Sequence, residues 1–331
     1  MTNLITVRAP AKLNLFLHIT GRRADGYHTL ESVFTQIDLC DILQFQITDD
    51  GIISRANNIE NLPEAQDLTI RAAHALKQQA LRDNKPEAAR CGAIIYIEKY
   101  IPMGGGLGGG STDAASTLKT LNNLWNLNYP DTTLAEIGLT LGADVPFFIF
   151  GKSAFAQGIG EQLRAVNLPK LAFLVVKPDI HVPTPTVFAA PELTRNTKTL
   201  TISDFSSVAG SNVETARKSA EFEASDQYQT QRNDDSGLSF TVADLASFKN
   251  DMQDVVVRRY SEVAQALDLL QLVSSKWCAF PARMTGSGAC VFAAFFDVEH
   301  ATIAQQKWQQ KVAVSQHPQL ARAKTFVVTC C

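Results

Sequence analysis

The stretch that decides the fold reads Pro102-Met103-Gly104-Gly105-Gly106-Leu107-Gly108-Gly109-Gly110-Ser111-Thr112-Asp113. Six of the 19 glycines in the chain fall within seven consecutive residues of this stretch. Glycine loses more conformational freedom on folding than any other residue, so such a run opposes stability. Because it also lets the backbone adopt positive φ and approach a ligand closely, the run indicates a ligand-binding loop.

The glycines lie between two predicted elements. Residues 93–101 have the β-branched and aromatic content of a strand. After the glycines, Ser111, Thr112 and Asp113 are suitable N-caps for a helix. Its apolar positions are Ala114, Leu118, Leu121 and Trp125. A strand, a glycine loop and a helix N-terminus together predict an anion site, because free N–H groups and the positive end of the helix dipole face one point. Phosphate is the expected anion.

Two common nucleotide-binding patterns match the glycines formally. Gly105 and Gly110 have the spacing of a Walker A loop, but Ser111 and Thr112 follow, so the lysine that reaches the β- and γ-phosphates is missing. A dinucleotide fingerprint is also satisfied, as any glycine tract satisfies it. The acidic residue and second strand of a βαβ unit are missing, however, because a helix is predicted to begin at 130–131. A flexible linker is disfavoured, since linkers seldom separate a strand from a capped helix.

Length and composition predict an ordinary two-domain protein. The 331 residues exceed what one core usually holds. A net charge of −3 gives no support to a nucleic-acid surface, which normally carries a basic excess. No apolar run reaches the roughly 18 to 20 residues of a membrane span, and residues 1–7 resemble neither a signal nor a transit peptide. Since the six cysteines also lack disulfide or zinc spacing, we expect a reduced, cytoplasmic protein with no nucleic-acid or membrane partner.

Polar residues interrupt two apolar segments. In the strand predicted over residues 11–19, strict alternation places four residues on one face. They are Lys12, Asn14, Phe16 and His18. This face either contacts solvent or lines a cleft.

Asp144 lies between a predicted helix end and the apolar run 145–150, where an aspartate is most often a cap or turn residue. If ionised among apolar neighbours, it needs a partner such as a lysine or a ligand group.

The second half of the chain begins with a continuous apolar strand near residues 171–176, which predicts a domain boundary near residue 165. Residues 195–239 are rich in Ser, Thr, Asp, Asn and Gln, a composition that does not build a core, so we expect a long insertion with at most a short helix over 213–222. Elsewhere, Asp67 is predicted to cap a helix, and residues 324–329 are predicted to form the last strand.

Three segments resemble the motifs of the GHMP kinases, which include galactokinase, homoserine kinase and mevalonate kinase. The glycine stretch is similar to their Pro-x-x-x-Gly-Leu-Gly-Ser-Ser-type phosphate loop, residues 9–15 to their first motif and residues 284–291 to their third. The resemblance implies an α+β fold of two domains, a ribosomal-protein-S5-like N-terminal domain over 1–164 and a ferredoxin-like α/β sandwich over 165–331, with the active site in the cleft between them. The polar insertion at about 195–239 belongs to the second domain.

Finer details resemble the GHMP kinases that act on 4-diphosphocytidyl-2-C-methyl-D-erythritol in the non-mevalonate isoprenoid pathway. Five blocks appear in that family's order, at residues 10–15, 25–28, 102–111, 142–148 and 183–188. The resemblance implies that the γ-phosphate of ATP is transferred to the 2-hydroxyl of this substrate, with Mg²⁺ as the metal. One departure is Asp67, which stands where that family commonly has Asn near the adenine.

The resemblance also implies roles for individual residues. Lys12 and Asp144 are the implied catalytic pair, with Asp144 either removing the proton of the attacking hydroxyl or orienting it. The implied ATP-binding residues are Pro102, Met103, Gly104, Gly105, Gly106, Leu107, Gly108, Gly109, Gly110, Ser111 and Thr112. Either Ser111 or Thr112 could ligate the metal.

At the other end of the substrate, the resemblance implies that Tyr27 and Phe188 stack on the cytosine and that His28 hydrogen-bonds its edge. Asn14 and Thr184 would line the erythritol and phosphate part. Without this resemblance, Tyr27 and His28 are residues of an ordinary exposed turn after Asp25 and Gly26.

Two other functions stay open from the sequence. One is another GHMP small-molecule kinase, of the homoserine or mevalonate type, and Tyr27, His28 and Phe188 count against it. The other is a non-catalytic nucleotide-binding protein on the same fold, which the presence of both Lys12 and Asp144 disfavours. In each case we expect a small-molecule ligand and a monomer or homodimer.

Overall fold

A computed structural model of the chain describes residues 4–60, 62–200, 238–314 and 318–331. The strands are β1 (Ile5–Arg22), β2 (His28–Thr48), β3 (Ile53–Arg55), β4 (Gly92–Glu98), β5 (Ala154–Gln157), β6 (Gln162–Asn167), β7 (Ala172–Lys177), β8 (Leu238–Ser239), β9 (Cys278–Met284), β10 (Val291–Phe295) and β11 (Lys324–Thr329). The α-helices are α1 (Leu68–Arg82), α2 (Gly109–Leu124), α3 (Asp131–Leu139), α4 (Val145–Phe150), α5 (Thr184–Phe188), α6 (Val242–Ser247), α7 (Gln253–Arg259), α8 (Ser261–Ser274) and α9 (Val298–Val314). Short 3₁₀ turns occupy Glu64–Gln66, Pro86–Arg90 and Pro318–Leu320.

The first half of the chain forms a sheet around the long strand β2. β1 pairs with β2 in antiparallel register from Ile5 opposite Phe45 to Arg22 opposite His28. β2 also pairs with β4 and β5, and the path through the sheet is β3-β4-β2-β5-β6-β8. Buried side chains of β2 and β4 pack with those of α1 to α4 in one apolar cluster. The sheet therefore fixes α2 and α4, the two helices next to the predicted site.

The second half forms a four-stranded antiparallel sheet of order β11-β7-β10-β9. Strand β7 alternates between two apolar clusters. Leu174 and Val176 pack with α8 and α9, whereas Phe173 and Val175 pack with Leu13 of β1. Both faces of β7 are buried for this reason, which explains why its sequence is a continuous apolar run. The shared cluster joins the two sheets and positions β1 against the second half of the chain.

The strict alternation predicted for residues 11–19 is wrong after Asn14. The register between β1 and β2 shifts between Asn14 and Phe16, which is a β-bulge. A bulge inserts an extra residue into one strand and changes the direction of the side chains that follow. Phe16 accordingly packs in the same apolar cluster as Leu13 and Leu15. Lys12 and Asn14 are both buried, so the polar face is not solvated.

The remaining predictions about the fold concern the last strand, the polar insertion, the domain boundary and membrane spans. The last strand covers residues 324–329 as predicted. The short helix predicted over 213–222 lies outside the described residues. The domain division at residues 164 and 165 stays a prediction, although β6 ends at Asn167 and the second sheet begins with β7 at Ala172. None of the described helices is long and apolar enough to cross a membrane.

Packing of α8 against the second sheet gives a direct test of the core. Leu270 is fully buried, whereas Leu272 on the same helix is 61% exposed. We expect Leu270→Ala to lower the free energy of unfolding by about 2–5 kcal/mol, because it removes apolar contacts and leaves a cavity. Leu272→Ala is the matched control and should change it by less than about 0.5 kcal/mol. Urea unfolding followed by circular dichroism measures both, and equal losses in the two variants would contradict this packing.

Candidate active site

The glycine loop is held by backbone hydrogen bonds from both halves of the chain. The Lys12 N–H, in β1, donates to the Leu107 carbonyl oxygen at 2.9 Å. The Cys290 N–H, just before β10, donates to the Gly105 carbonyl oxygen at 3.2 Å. Leu107 itself is buried in the cluster between the two sheets. The loop is therefore clamped at its centre, between the first and third motifs of the sequence.

Glycine is required in this loop because neighbouring groups approach its backbone closely. Gly106 has φ of 77°, and a Cβ atom there would lie 2.8 Å from the Thr285 carbonyl oxygen. Gly108 has φ of 73°, and a Cβ atom there would lie 2.8 Å from the Phe148 ring. A side chain at either position would be strained by its φ and would also collide with a fixed neighbour.

The helix that follows begins earlier than predicted. α2 starts at Gly109 with Gly108 as its N-cap, so the prediction of Ser111, Thr112 or Asp113 as the cap is wrong. The positive φ of Gly108 ends the loop before these residues. The N-cap position makes no side-chain hydrogen bond, so the first N–H groups of α2 are left for a ligand. Together with the dipole of a 16-residue helix, this gives the anion site that the sequence predicts.

A cavity of about 130 Å³ lies at the loop and is lined by Lys99, Ile101 and residues 102–110. All the residues from Pro102 to Gly110 in the predicted ATP-binding set therefore surround one space. Ser111 and Thr112 lie in the first turn of α2 beside it. Thr112 is buried, and its hydroxyl oxygen has no hydrogen-bond partner among the described residues.

Lys12 and Asp144, which are 132 positions apart in the printed sequence, form an ion pair. The Lys12 Nζ lies 3.4 Å from Asp144 Oδ2 and donates to Asn14 Oδ1 at 2.5 Å. Lys12 is buried, whereas the Asp144 side chain is 35% exposed at the start of α4. Asp144 thus has the lysine partner that its apolar neighbours require, and it is still open to a ligand.

Asn14 connects this pair to the third motif. Its backbone N–H donates to Thr285 Oγ1 at 2.8 Å, and its side-chain amide donates to Ser32 Oγ at 2.9 Å. Ser32 in turn donates to the Phe16 carbonyl oxygen at 2.6 Å. Asn14 is therefore held through both its backbone N–H and its side-chain amide. Because the Lys12 ammonium donates to the same side chain, Lys12 is held in place as well.

The residues predicted to bind the cytidine are only partly brought together. His28 at the start of β2 stacks on Phe188 of α5, with ring centroids 4.9 Å apart and an interplanar angle of 22°. Tyr27, by contrast, is 60% exposed. The Thr184 hydroxyl lies 2.6 Å from that of Ser287, so α5 is linked to the third motif.

The sequence analysis missed a buried charge network behind the loop. The Lys99 ammonium contacts Asp41 Oδ2 and donates to Asp113 Oδ2 at 2.6 Å. Asp41 Oδ1 accepts from the N–H groups of Tyr100 at 2.6 Å and Ile101 at 2.8 Å. This network ties β2, the loop entrance and α2 together. No local pattern signals it, because Asp41 lies in β2, Lys99 follows the end of β4, and Asp113 reads as a helix cap.

One lysine serves two carboxylates in this network. Burial opposes the charged ammonium, yet the Asp113 and Asp41 carboxylates outweigh it and raise the pKa of Lys99. Burial also raises the pKa of Asp113 to about 7, with the Asp41 charge adding to the effect and Lys99 opposing it. A buried carboxylate is costly, so the Asp113 carboxyl keeps its proton to a higher pH than an ordinary aspartate does.

Asp67 caps α1 as predicted, and its carboxylate has a second role. Asp67 Oδ1 accepts from the Thr69 N–H at 2.9 Å. Asp67 Oδ2 accepts from Arg55 at 2.8 Å, and both side chains of this pair are buried. The Asp67 carboxylate is thus neutralised by an arginine from β3.

The sequence and the fold match those of known kinases. Family models described as the GHMP kinases N terminal domain and GHMP kinases C terminal match residues 67–152 and 241–314. The crystal structure of homoserine kinase from Cytophaga hutchinsonii superposes with a TM-score of 0.63 at 15% identity, covering 100% of this chain and 95% of that one, a likeness that concerns the fold alone. The predicted α+β fold of two domains is confirmed. Fold and site together define a small-molecule kinase of the GHMP type.

More similar relatives narrow the class. The 4-diphosphocytidyl-2-C-methyl-D-erythritol kinase of Burkholderia mallei (strain SAVP1) is 47% identical over 321 residues, covering 95% of this chain and 96% of the relative. That of Paraburkholderia phytofirmans is 48% identical over 316 residues, covering 94% of each. A crystal structure of 4-(cytidine 5'-diphospho)-2C-methyl-D-erythritol kinase has a TM-score of 0.69 at 26% identity, covering 99% of this chain and 100% of that one. The chain therefore belongs to the 4-diphosphocytidyl-2-C-methyl-D-erythritol kinase family.

The network behind the loop predicts a pH dependence of stability. The folded-state pKa of Asp113 is raised above its value in the unfolded chain, so the folded protein binds the extra proton between these two values. Stability from this group is therefore present below about pH 4 and is lost as the pH rises through about 7. Asp113→Asn cannot ionise, and we expect its melting temperature relative to the parent to be higher at about pH 8 than at about pH 5.5.

Asp49→Asn is the matched control, because Asp49 is a strongly exposed carboxylate paired with Arg90 at the surface. Its melting temperature should follow that of the parent at every pH. Thermal scans of the three proteins across this range decide the matter, and a constant difference between Asp113→Asn and the parent would show that Asp113 does not titrate there.

Proposed function

We propose that the protein transfers the γ-phosphoryl group of ATP to the 2-hydroxyl of 4-diphosphocytidyl-2-C-methyl-D-erythritol, giving the 2-phosphate and ADP. The reaction belongs to the non-mevalonate isoprenoid pathway, and we expect it to occur in the cytoplasm. The observation that carries this proposal is the Lys12–Asp144 ion pair of 3.4 Å beside the glycine loop. It is supported by 47% identity to kinases named for this substrate.

Phosphoryl transfer depends mainly on positioning and on neutralising the charge of the phosphates. In our proposal the free N–H groups at the start of α2 and the glycine loop hold the phosphates of ATP. The Lys12 ammonium neutralises charge on the transferred group, since its own backbone N–H is bonded to Leu107 of the loop. A shift of the loop would therefore move Lys12 with it, so the distance between the Lys12 ammonium and the bound phosphate would be maintained.

Asp144 is the proposed partner of the attacking hydroxyl. Its side chain is accessible, and the Lys12 ammonium lies 3.4 Å from its carboxylate. An ionised carboxylate accepts a hydrogen bond from the 2-hydroxyl, orients its lone pair toward the phosphorus and takes up its proton as the bond to phosphorus forms. The Lys12 ammonium then faces both the carboxylate and the phosphoryl group, so the charges alternate along the reaction path.

The metal is proposed to be Mg²⁺, which prefers oxygen ligands and usually binds through one or two protein groups together with substrate phosphates. The hydroxyls of Ser111 and Thr112 fit this chemistry, and that of Thr112 is buried without a partner. One of these hydroxyls would hold the ion, which supplies further positive charge to the phosphates. Among the described residues no group of three or more His, Cys, Asp or Glu side chains could hold a metal by itself.

The cytidine end of the substrate is assigned to Tyr27, His28 and Phe188. Phe188 and His28 already form a flat aromatic surface. Exposed Tyr27 is free to cover a base from the solvent side. Asn14 and Thr184 are assigned to the erythritol and phosphate part, because each is hydrogen-bonded to the third motif and so lies at the border of the two halves.

The substrate assignment is tested by coupled detection of ADP with purified protein, ATP and Mg²⁺. Three acceptors are compared at equal concentration: 4-diphosphocytidyl-2-C-methyl-D-erythritol, homoserine and mevalonate. We expect ADP release only with the first, because the other two have no base for the aromatic surface to bind. Turnover of homoserine or mevalonate alone would contradict the proposed substrate but not the assignment to the GHMP kinase fold.

Replacing the proposed base tests the chemistry. We expect Asp144→Asn to lower kcat by about 10²–10⁴-fold, because the amide can neither take up the proton nor balance Lys12. Binding of ATP should be nearly unchanged, since the loop is intact. Asp131→Asn is the control, because this carboxylate is exposed on α3 and pairs with Lys119 at the surface, at 3.8 Å. A kcat near that of the parent for Asp144→Asn would remove Asp144 from the mechanism.

A further inference from the structure

Arg195 occupies a position that neither the motifs nor the mechanism uses. It follows α5 and makes four hydrogen bonds as donor. Its Nε donates to His28 Nε2 at 3.0 Å. Its terminal nitrogens donate to the carbonyl oxygens of Leu193 at 3.0 Å, Phe188 at 2.9 Å and Ala190 at 2.7 Å. Three backbone carbonyls thus fix the guanidinium, and the fixed guanidinium faces one nitrogen of one histidine.

This contact determines which His28 nitrogen carries the proton. Arginine has only donor groups and stays protonated in proteins, so His28 Nε2 must accept with its lone pair. A neutral imidazole whose Nε2 is the acceptor carries its proton on Nδ1. Doubly protonated His28 would place an N–H against an N–H, so the same contact disfavours the imidazolium form.

The surroundings of His28 act in the same direction. Burial lowers the pKa of His28, and the positive charges of Arg195 and Arg22 lower it further. The ring plane is fixed by stacking on Phe188, whose own carbonyl oxygen accepts from Arg195. One arginine therefore sets the protonation of the histidine and also holds the aromatic residue on which the histidine lies.

We propose that Arg195 is a positioning residue that holds His28 as the neutral Nδ1–H tautomer and thereby makes the site select cytosine over uracil. The inference rests on the proposed function, in which His28 meets the edge of the base. An Nδ1–H group is a donor, and N3 of cytosine is an acceptor. N3 of uracil carries a hydrogen and is itself a donor, so the same histidine repels it. A donor that meets a donor leaves both unpaired, which is a strong basis for discrimination.

The first experiment reads the tautomer directly. ¹⁵N NMR of the imidazole nitrogens distinguishes protonated from unprotonated nitrogen, and the His28→Gln variant assigns the His28 signals. In the free parent protein we expect a protonated Nδ1 and an unprotonated Nε2. In Arg195→Gln, whose amide can both donate and accept, we expect a mixture of tautomers. A parent protein with its proton on Nε2 would overturn the proposal without any measurement of activity.

The second experiment reads base selection with CDP and UDP as probes, through their dissociation constants. We expect the parent to prefer CDP, and Arg195→Gln to lose about tenfold or more of that preference, which corresponds to about one mispaired hydrogen bond. Arg195→Lys keeps a donor-only side chain and should retain most of the preference. Arg259→Gln is the control, because Arg259 is an arginine at the end of α7 whose Nε donates to Glu192 at 2.8 Å.

The double variant Arg195→Gln/His28→Gln distinguishes an action of Arg195 through His28 from a merely structural role of Arg195. If Arg195 acts through His28, adding Arg195→Gln to His28→Gln should leave the CDP-to-UDP ratio unchanged, although both affinities can fall. A further fall of the ratio in the double variant, or an unchanged ratio in Arg195→Gln alone, contradicts the proposal. These outcomes are independent of the ADP-release assay. If the protein turns over the cytidylated substrate but does not show the expected CDP-to-UDP ratios, only this inference is wrong. If it does not turn over that substrate, the proposed function is wrong.

Discussion

The structure depends on one close approach, that of the glycine-loop backbone to both halves of the chain. The Lys12 N–H binds the loop at Leu107, and the Cys290 N–H binds it at Gly105. Only glycine allows this, because a Cβ atom at Gly106 would meet the Thr285 carbonyl oxygen. Since the first and third motifs both contact the loop backbone, three segments that are distant in sequence form one rigid site. Lys12 is then positioned by the same hydrogen bond that positions the glycine loop.

Three cations around this site are each paired with one or two carboxylates. Lys12 is balanced by Asp144 in the cleft, Lys99 by Asp41 and Asp113 behind the loop, and Arg55 by Asp67 beside it. Buried cations are stable only with such partners, because the loss of hydration is large. The Lys99 group differs from the others in holding two carboxylates, so a proton completes its balance. Positive charge thus stays close to the loop without leaving an unpaired ion in the core.

Local chemistry made several elements predictable. Asp67 caps α1 because its short carboxylate reaches the Thr69 N–H, and the last strand follows directly from its β-branched and aromatic residues. The prediction fails where tertiary contacts compete with local preference. The bulge after Asn14 interrupts an alternating pattern because β1 must pair with β2 and also pack on the second sheet. α2 begins at Gly109 because the loop has already turned at Gly108, and Asp113 is used by Lys99 instead of as a cap.

By itself the sequence determined the phosphate loop, the family and the candidate residues, because glycine content, motif order and residue type are local properties of the chain. The pairing of Lys12 with Asp144 could also be stated in advance, because the resemblance to the GHMP kinases implies it; the apolar neighbours of Asp144 indicate only that the aspartate needs some partner. The partners of Lys99 and of His28 were decided only by the tertiary structure. Asp41 and Arg195 lie far from them in sequence, in segments whose patterns indicate only a strand and a polar loop. Such contacts arise from the way the sheets pack, and packing between distant segments leaves no periodic trace in one sequence.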